Sequence, residues 1–400
     1  QNVRNNAEVL ACWRDSLFPY YERACWLLKY VMKPFSGSAA TLHRDLIKRV
    51  GSADAGALLS NLSGDSELVS LGPLAGLLQV TRGTMSRATY LEHYGHRSPH
   101  EFELSTPRPA EDPAWLNRQL AGVAGKSSAD VDTLLARQRA ESEAAWARFE
   151  SRYLGKVKAM RKRVKQFASQ ARLREAVRSE FTRVMGVLRQ FAIRAGELTG
   201  LGDGVFFLSI DELIAVLAGD DGAAAYIQAR KETHARYSTL PPLPSIINGR
   251  FDPFQWAKDP DRRSDVFDSH ASVLKADSSA VLTGFAGAAG CVEGVVRRLD
   301  NAEEGDLLQP GEILVTTTTN IGWTPLFPRA AAIVTDIGAP LSHAAIVARE
   351  LGIPAVVGCG SATTRLHTGD RVRVDGGRGR VEILVLAGED RETQRTASAG

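Results

Sequence analysis

The 400 residues are 44% hydrophobic and 24% charged, with a formal net charge of +3, which suits two or three domains and gives no reason to expect nucleic acid as a partner. Cys12, Cys25, Cys291 and Cys359 form no CxxC pair and no metal-ligand spacing, so free thiols in a reducing compartment are expected rather than a disulfide framework. No apolar run is long enough for a membrane span and no signal peptide is visible, so a cytoplasmic protein without a membrane partner is expected, with upstream residues missing before Gln1.

In chain order, residues 1 to about 32 read as helix, because Val9, Leu10, Trp13, Leu17, Ala24, Leu27, Leu28 and Val31 recur at helical spacing. Pro19 is expected to divide it and Pro34 to Ser38 to break it. Leu42–Val50 and Ala53–Leu62 read as further helices, and Pro73 to about Tyr94 as helix with Gly83 a weak point. The aromatics Trp13, Trp26, Tyr20, Tyr21 and Phe35 read as helix core rather than as an apolar pocket.

A helix then ends near Gly95, and Pro99, Pro107, Pro109 and Pro113 hold the next stretch irregular. His93, His96 and His100 have ligand-like spacing, but Ser98-Pro99 keeps one helical face from presenting all three, so no metal is assigned. Arg97 is the natural phosphate clamp of this loop, since guanidinium binds phosphate oxygens through paired donors. His96 is a candidate general base. A structural ion pair between Arg97 and Glu101 is the competing reading.

Residues 127 to about 200 form the longest helical region, with a break at Gly155 and a basic run, Lys156 to Lys165, expected on a solvated face. Arg174 and Arg178 share a face at i, i+4 and can hold phosphate together. Val205–Leu208 reads as a short strand, and Ser209 with Glu212 as a capping box. Leu240 to about Ser279 is polar, proline-rich and irregular, with Phe254 and Trp256 pinning part of it to a core.

From Leu282 the pattern turns to strands and glycine turns, ending in a hairpin that turns at Asp375 to Gly379. Within it Ala331–Val334 is a strand, Gly338-Ala339-Pro340 a turn, and Ala344–Leu351 a helix stopped at Gly352-Ile353-Pro354. Ser342 is the expected N-cap, its hydroxyl taking a first-turn amide. His343 thus stands at a helix N-terminus with small neighbours, its ring accessible. A neutral imidazole is a good nucleophile near pH 7, and an anion attached to it would lie against free amides and the positive end of the helix dipole.

The stretch Thr335–Pro354 closely resembles the phosphohistidine signature of the swivelling domain in phosphoenolpyruvate synthase, pyruvate phosphate dikinase and rifampicin phosphotransferase. Pro310-Gly311-Glu312-Ile313-Leu314-Val315, Trp323-Thr324-Pro325-Leu326-Phe327, Ser342–Glu350, Gly352–Gly358 and Val374-Asp375-Gly376 occur in the family's order. The segment Leu91–Leu104 is similar to a loop of the family's substrate-binding domain, with His96, Arg97 and Glu101 on its pattern. Arg172–Arg178 is similar to the family's Arg-x-x-x-Arg helix.

The resemblance implies a multidomain fold: a mainly α-helical substrate-binding domain at 1–240, a linker at 241–281, a small β/β/α phosphohistidine swivelling domain at 282–388, and a disordered tail at 389–400. It implies that His343 carries the phosphoryl group, with His96 and Arg97 catalytic and Glu101, Arg174, Arg178, Ser342 and Gly338 binding substrate or phosphate. Arg349, nearly two turns from His343, would steady the domain.

Four departures from the family pattern stand out: Ala339, Leu341, Ala288-Ala289-Gly290 in place of Ser-Pro-Gly, and Thr319-Asn320-Ile321 in place of Thr-x-Pro. The last two would weaken phosphate-binding loop contacts. No ATP-grasp region is visible, so ATP and Mg2+ are expected on a separate or upstream module and not on this chain. The expected function is a phosphotransferase half that loads His343 from ATP and delivers to a small-molecule hydroxyl. The alternatives are a two-protein dehydratase and a non-catalytic phosphocarrier.

Overall fold

The computed structural model describes residues 4–60, 71–124, 128–270 and 280–387. The helical part begins with α1 (Asn6–Cys12), a π-helical turn at Trp13–Leu17, and α2 (Phe18–Leu58). It continues with α3 (Gly72–Thr81), α4 (Arg87–Tyr94), α5 (Trp115–Ala124), α6 (Ser128–Tyr153), α7 (Val157–Thr199), α8 (Ile210–Leu217) and α9 (Ile227–Tyr237). Then come β1 (Ile246–Asn248), α10 (Pro253–Lys258) and β2 (Val266–Asp268). The remaining strands are β3 (Val281–Thr283), β4 (Phe285–Ala288), β5 (Cys291–Arg298), β6 (Ile313–Thr316), β7 (Ala332–Thr335), β8 (Ala355–Val357), β9 (Arg371–Asp375) and β10 (Arg380–Val385). Helix α11 (His343–Leu351) joins β7 to β8, and α12 (Ala362–Arg365) follows β8. The protein is thus a mainly helical domain followed by a small sheet domain.

Several local expectations hold for stated reasons. Gly352 ends α11 at φ 65°, the left-handed conformation that glycine adopts without a Cβ penalty. Ser209 and Glu212 form both bonds of the capping box at the start of α8. A 3-10 turn at Leu154–Lys156 separates α6 from α7.

Others need correction. Helix α2 does not break at Pro34 to Ser38; its backbone departs from helix at Gly51 (φ 81°, ψ 172°), where glycine tolerates the turn. Proline's lost hydrogen bond is outweighed because α2 packs along α7. Residues Gly202–Phe207 form a 3-10 helix where Val205–Leu208 was expected as a strand. Trp26 and Tyr20 are 70% and 56% exposed and are not core, whereas Trp13 packs on Phe191 at 5.1 Å. The segment after Leu240 is less irregular than its composition suggests, since β1 and β2 pair in parallel and Trp256 is buried. Residues 271–279 and the tail from 389 lie outside the described residues.

The larger sheet runs β3-β10-β9-β5-β6-β7-β8-β4. Strands β5, β6, β7 and β8 are parallel neighbours, and the pairs β4/β8, β5/β9, β9/β10 and β3/β10 are antiparallel. Gly294 in β5 keeps regular register, and its use is close approach, since a Cβ would stand 3.0 Å from Ile313. The two domains share one apolar core: Leu42, Leu46, Leu58 and Phe149 of the helical part join one buried cluster with Ile333, Ile346, Val347 and Leu351 of the sheet domain.

Candidate active site

The parallel strands place the site. In such sheets, loops leaving the carboxyl ends of adjacent strands converge on one crevice. The loop after β6 brings Thr319 and Thr324, and the turn after β7 brings His343 as the first residue of α11. Thr319 Oγ1 lies 3.0 Å from His343 Nδ1, and Thr324 Oγ1 lies 3.3 Å from Nε2. Both ring nitrogens therefore have hydroxyl partners. Phe327 closes one side, its ring centroid 5.9 Å from the imidazole at 67°.

The turn is held from below. Buried Asp336 accepts hydrogen bonds from the backbone amide and the hydroxyl of Thr363, tying the end of β7 to α12. Desolvation raises its pKa and the Thr363 bonds oppose that rise. Gly338 admits no side chain, because a Cβ there would stand 2.9 Å from Val357 Cβ and 3.1 Å from Ser342 Oγ. Ser342 does occupy the N-cap position, but its hydroxyl caps no amide, contrary to the expectation from sequence; Oγ is buried with no hydrogen-bond partner. Ser342 and Gly338 thus shape the turn beside the histidine. Arg349 is buried and donates to the carbonyls of Gly287 (2.7 Å) and Pro340 (2.9 Å), so it braces the same turn from two turns along α11.

His343 is not the open helix-start ring that its small neighbours suggest. It is partly buried against the helical domain, and its pKa is pushed down to about 3. Desolvation is the main cause; Glu175 opposes it, and the cations Arg178, Arg97 and Arg174 add to it. The ring is therefore neutral near pH 7, the state a nucleophile needs.

The facing surface comes from α7 and the loop after α4. Arg97 and Glu101 are 5% and 1% exposed, with Arg97 Nε 3.0 Å from Glu101 Oε2. The contact is close but poorly aligned, since neither atom completes a hydrogen bond, and Arg97 Nη1 is also buried without a partner. Arg178 Nε donates to Glu101 Oε1 at 3.0 Å, and its guanidinium lies 5.1 Å from the Phe102 ring centroid. Arg174 donates to Glu175 at 2.9 Å. Arg174 thus pairs with Glu175 and Arg178 with Glu101. Burial pulls the Arg97 pKa below its ordinary value, and Glu101 and Glu175 hold it up.

His96 sits beneath this cluster with Nε2 2.8 Å from Ser179 Oγ on α7. Its pKa falls to about 3, mainly through desolvation and then through Arg183, Arg97 and Arg108. A base with so low a pKa would take a proton slowly near neutral pH. His93 and His100 are exposed while His96 is half-buried. Among the described residues no group of three or more His, Cys, Asp or Glu side chains is arranged to hold a metal ion, and no described helix is long and apolar enough to cross a membrane.

Of the expected cleft residues His96, Arg97 and Glu101, Arg97 acts electrostatically on His343, and so do Arg174 and Arg178. Thr319 and Thr324 were expected as members of a loop and a family motif, not as partners of the histidine ring. Their signal was a polar Thr-rich loop directly after a buried strand, which sequence alone could not pair with the histidine.

A helical domain apposed to a small sheet domain that carries a neutral helix-start histidine is the class that fold and site define. Two family models match: "PEP-utilising enzyme, mobile domain" over residues 308–379 and "Rifampicin phosphotransferase fourth domain" over 36–179. The chain therefore carries domains of the phosphoenolpyruvate-utilising enzyme family over these two stretches. It is 30% identical to a rifampicin phosphotransferase of Streptomyces sviceus over 77% of this chain and 36% of the relative. It is 34% identical to an uncharacterised protein of Mycobacterium tuberculosis over 74% of this chain and 31% of the relative. Over 26% of this chain and 13% of the relative it is 50% identical to a probable phosphoenolpyruvate synthase of Pyrococcus abyssi. The chain spans about a third of the length of the first two of these relatives.

Proposed function

We propose that this chain is the carrier-and-delivery part of an ATP-dependent phosphotransferase. His343 takes a phosphoryl group from ATP bound, with Mg2+, on an ATP-grasp module, and passes it to a small-molecule hydroxyl held by the helical domain. The observation that carries this reading is the position of a neutral His343 ring between two hydroxyls of its own domain and the arginines of the other.

In the loading step a ring nitrogen of His343 bonds to phosphorus while the bond to the leaving phosphate oxygen breaks. The Thr319 hydroxyl, at the shorter distance, accepts Nδ1–H and leaves the Nε2 lone pair for attack. The mobile domain then docks against the helical domain. In the delivery step the acceptor oxygen bonds to phosphorus as the N–P bond breaks, the electron pair of that bond returns to the ring nitrogen, and the acceptor proton passes to solvent, which leaves the ring neutral. Arg97 and Arg178 face the charge on the phosphoryl oxygens, which is the main catalytic need of a loose transition state. Glu101 positions both guanidiniums. His96 positions the loop through Ser179.

The relative named rifampicin phosphotransferase supports a small-molecule acceptor. Phosphoryl transfer from loaded protein to candidate hydroxyl acceptors tests the reading, with Arg178→Ala expected to slow delivery while leaving the loading of His343 intact. Equal delivery rates in Arg178→Ala and the parent would count against it.

A further inference from the structure

The loop that holds the His343 ring also touches the other domain, through Asn320 and Gly322. We propose that Asn320 and Gly322 form a docking latch by which the mobile domain recognises the loop carrying His96, Arg97 and Glu101, and that this latch sets the delivery position of His343. The proposal deepens the delivery reading and rests on it only for the identity of the group carried.

Asn320 uses its two amide atoms differently. Oδ1 accepts from the Gly322 amide at 3.1 Å, capping its own turn. Nδ2 donates to the Pro99 carbonyl of the helical domain at 2.5 Å. The first bond shapes the loop, and the second exists only when the domains are together.

Gly322 has no left-handed backbone that would demand glycine. What excludes a side chain is the other domain: a Cβ at 322 would stand 2.5 Å from Pro99 N and Cγ and 2.6 Å from Cδ. The three atoms nearest to that Cβ all belong to Pro99, so the docked state itself excludes a side chain at 322.

The latch is next to the chemistry at both ends. Thr319 and Thr324, bracketing it, hold the two ring nitrogens of His343. Pro99 lies between Arg97 and Glu101, the buried pair of the facing loop. One contact thus registers the carried group against the arginines. Elsewhere the docked domains meet through contacts such as Ser52 Oγ to the Gly377 carbonyl and the shared apolar core, which secure association but not the register of this loop.

The test is the rate at which diethyl pyrocarbonate modifies His343 in the intact chain, read by mass spectrometry of the His343 peptide. Asn320→Asp keeps the capping acceptor and turns the donor into an acceptor facing the Pro99 carbonyl. Gly322→Val inserts a side chain into the contact. Gly322→Val is expected to raise the modification rate about tenfold, the population change that overpacking of this kind produces, and Asn320→Asp to raise it about tenfold through the lost hydrogen bond to Pro99. In Gly322→Ala, adding Pro99→Ala removes Cγ and Cδ and should recover part of the protection, which a folding defect would not allow. Rates equal to the parent in Asn320→Asp and Gly322→Val overturn the proposal. So does a rise accompanied by loss of hydrogen-exchange protection throughout β5 to β8, because the loop would then only be folding its own domain. Failure of His343 to take up phosphate would sink the delivery reading and leave these rates unchanged.

Discussion

Replacing Glu101 by glutamine tests whether the arginine cluster is as desolvated as its geometry implies. Glu101 is 1% exposed and lies 3.0 Å from both Arg97 Nε and Arg178 Nε. At that distance a unit charge pair in an effective dielectric near 20 interacts by roughly 5 kcal/mol. Glutamine preserves shape but leaves Arg97, 5% exposed, without its nearest countercharge. Breaking a buried pair from one side costs about 3–5 kcal/mol, because the remaining charge stays out of water. Urea unfolding of the helical domain, followed by far-UV circular dichroism, should show a loss of that size near pH 7. Arg97→Met with Glu101→Met should recover much of it, since removing both charges removes the burden. A Glu101→Gln protein within about 1 kcal/mol of the parent would refute the reasoning, for Arg97 would then have to be solvated.

Thr319→Val should slow uptake of phosphate by His343 by about 10-fold to 100-fold, the worth of a hydrogen bond to a ring that becomes charged, while circular dichroism stays unchanged. Ser209→Ala should cost the α8 capping box about 1 kcal/mol, read as a lowered midpoint of thermal unfolding. Docking should weaken in acid. His343, His96 and His43 are held at about 3, 3 and 4 in the docked state. An undocked His343 near its ordinary value binds a proton that the docked ring does not. Docking is therefore fully favoured above about pH 6.5 and loses up to about 2 kcal/mol from that ring by pH 5. A donor–acceptor fluorescence pair across the domains should report separation as pH falls from 7 to 5, and a flat profile would contradict the His343 burial.

What was legible in the sequence was local or carried by resemblance. The turn and helix around His343, the Gly352 cap, the Ser209–Glu212 box and the final hairpin all follow from residue types at fixed offsets. The partnership of Arg97 with Glu101 was legible at i, i+4 as a structural pair, and its burial was not. Contacts between distant segments were hidden: Thr319 and Thr324 reach His343 only because β6 and β7 are parallel neighbours, and Asn320 meets Pro99 only because the domains dock. The Ser342 hydroxyl was misread because a cap residue can supply backbone geometry alone. The Pro34 break failed because packing on α7 overrode a local penalty. Trp26 and Tyr20 were expected in the core from burial preference alone and lie outside it, since residue type does not reveal which helix face a neighbour covers.

Phosphorylation of His343 is the central claim, and the most direct measurement is mass spectrometry of the protein after incubation with ATP, Mg2+ and the proposed ATP-grasp module. The account predicts one acid-labile, base-stable phosphoryl group on the peptide containing His343, absent from His343→Ala and discharged when a hydroxyl acceptor is added. No phosphate on that peptide, or phosphate that survives acid, would contradict it.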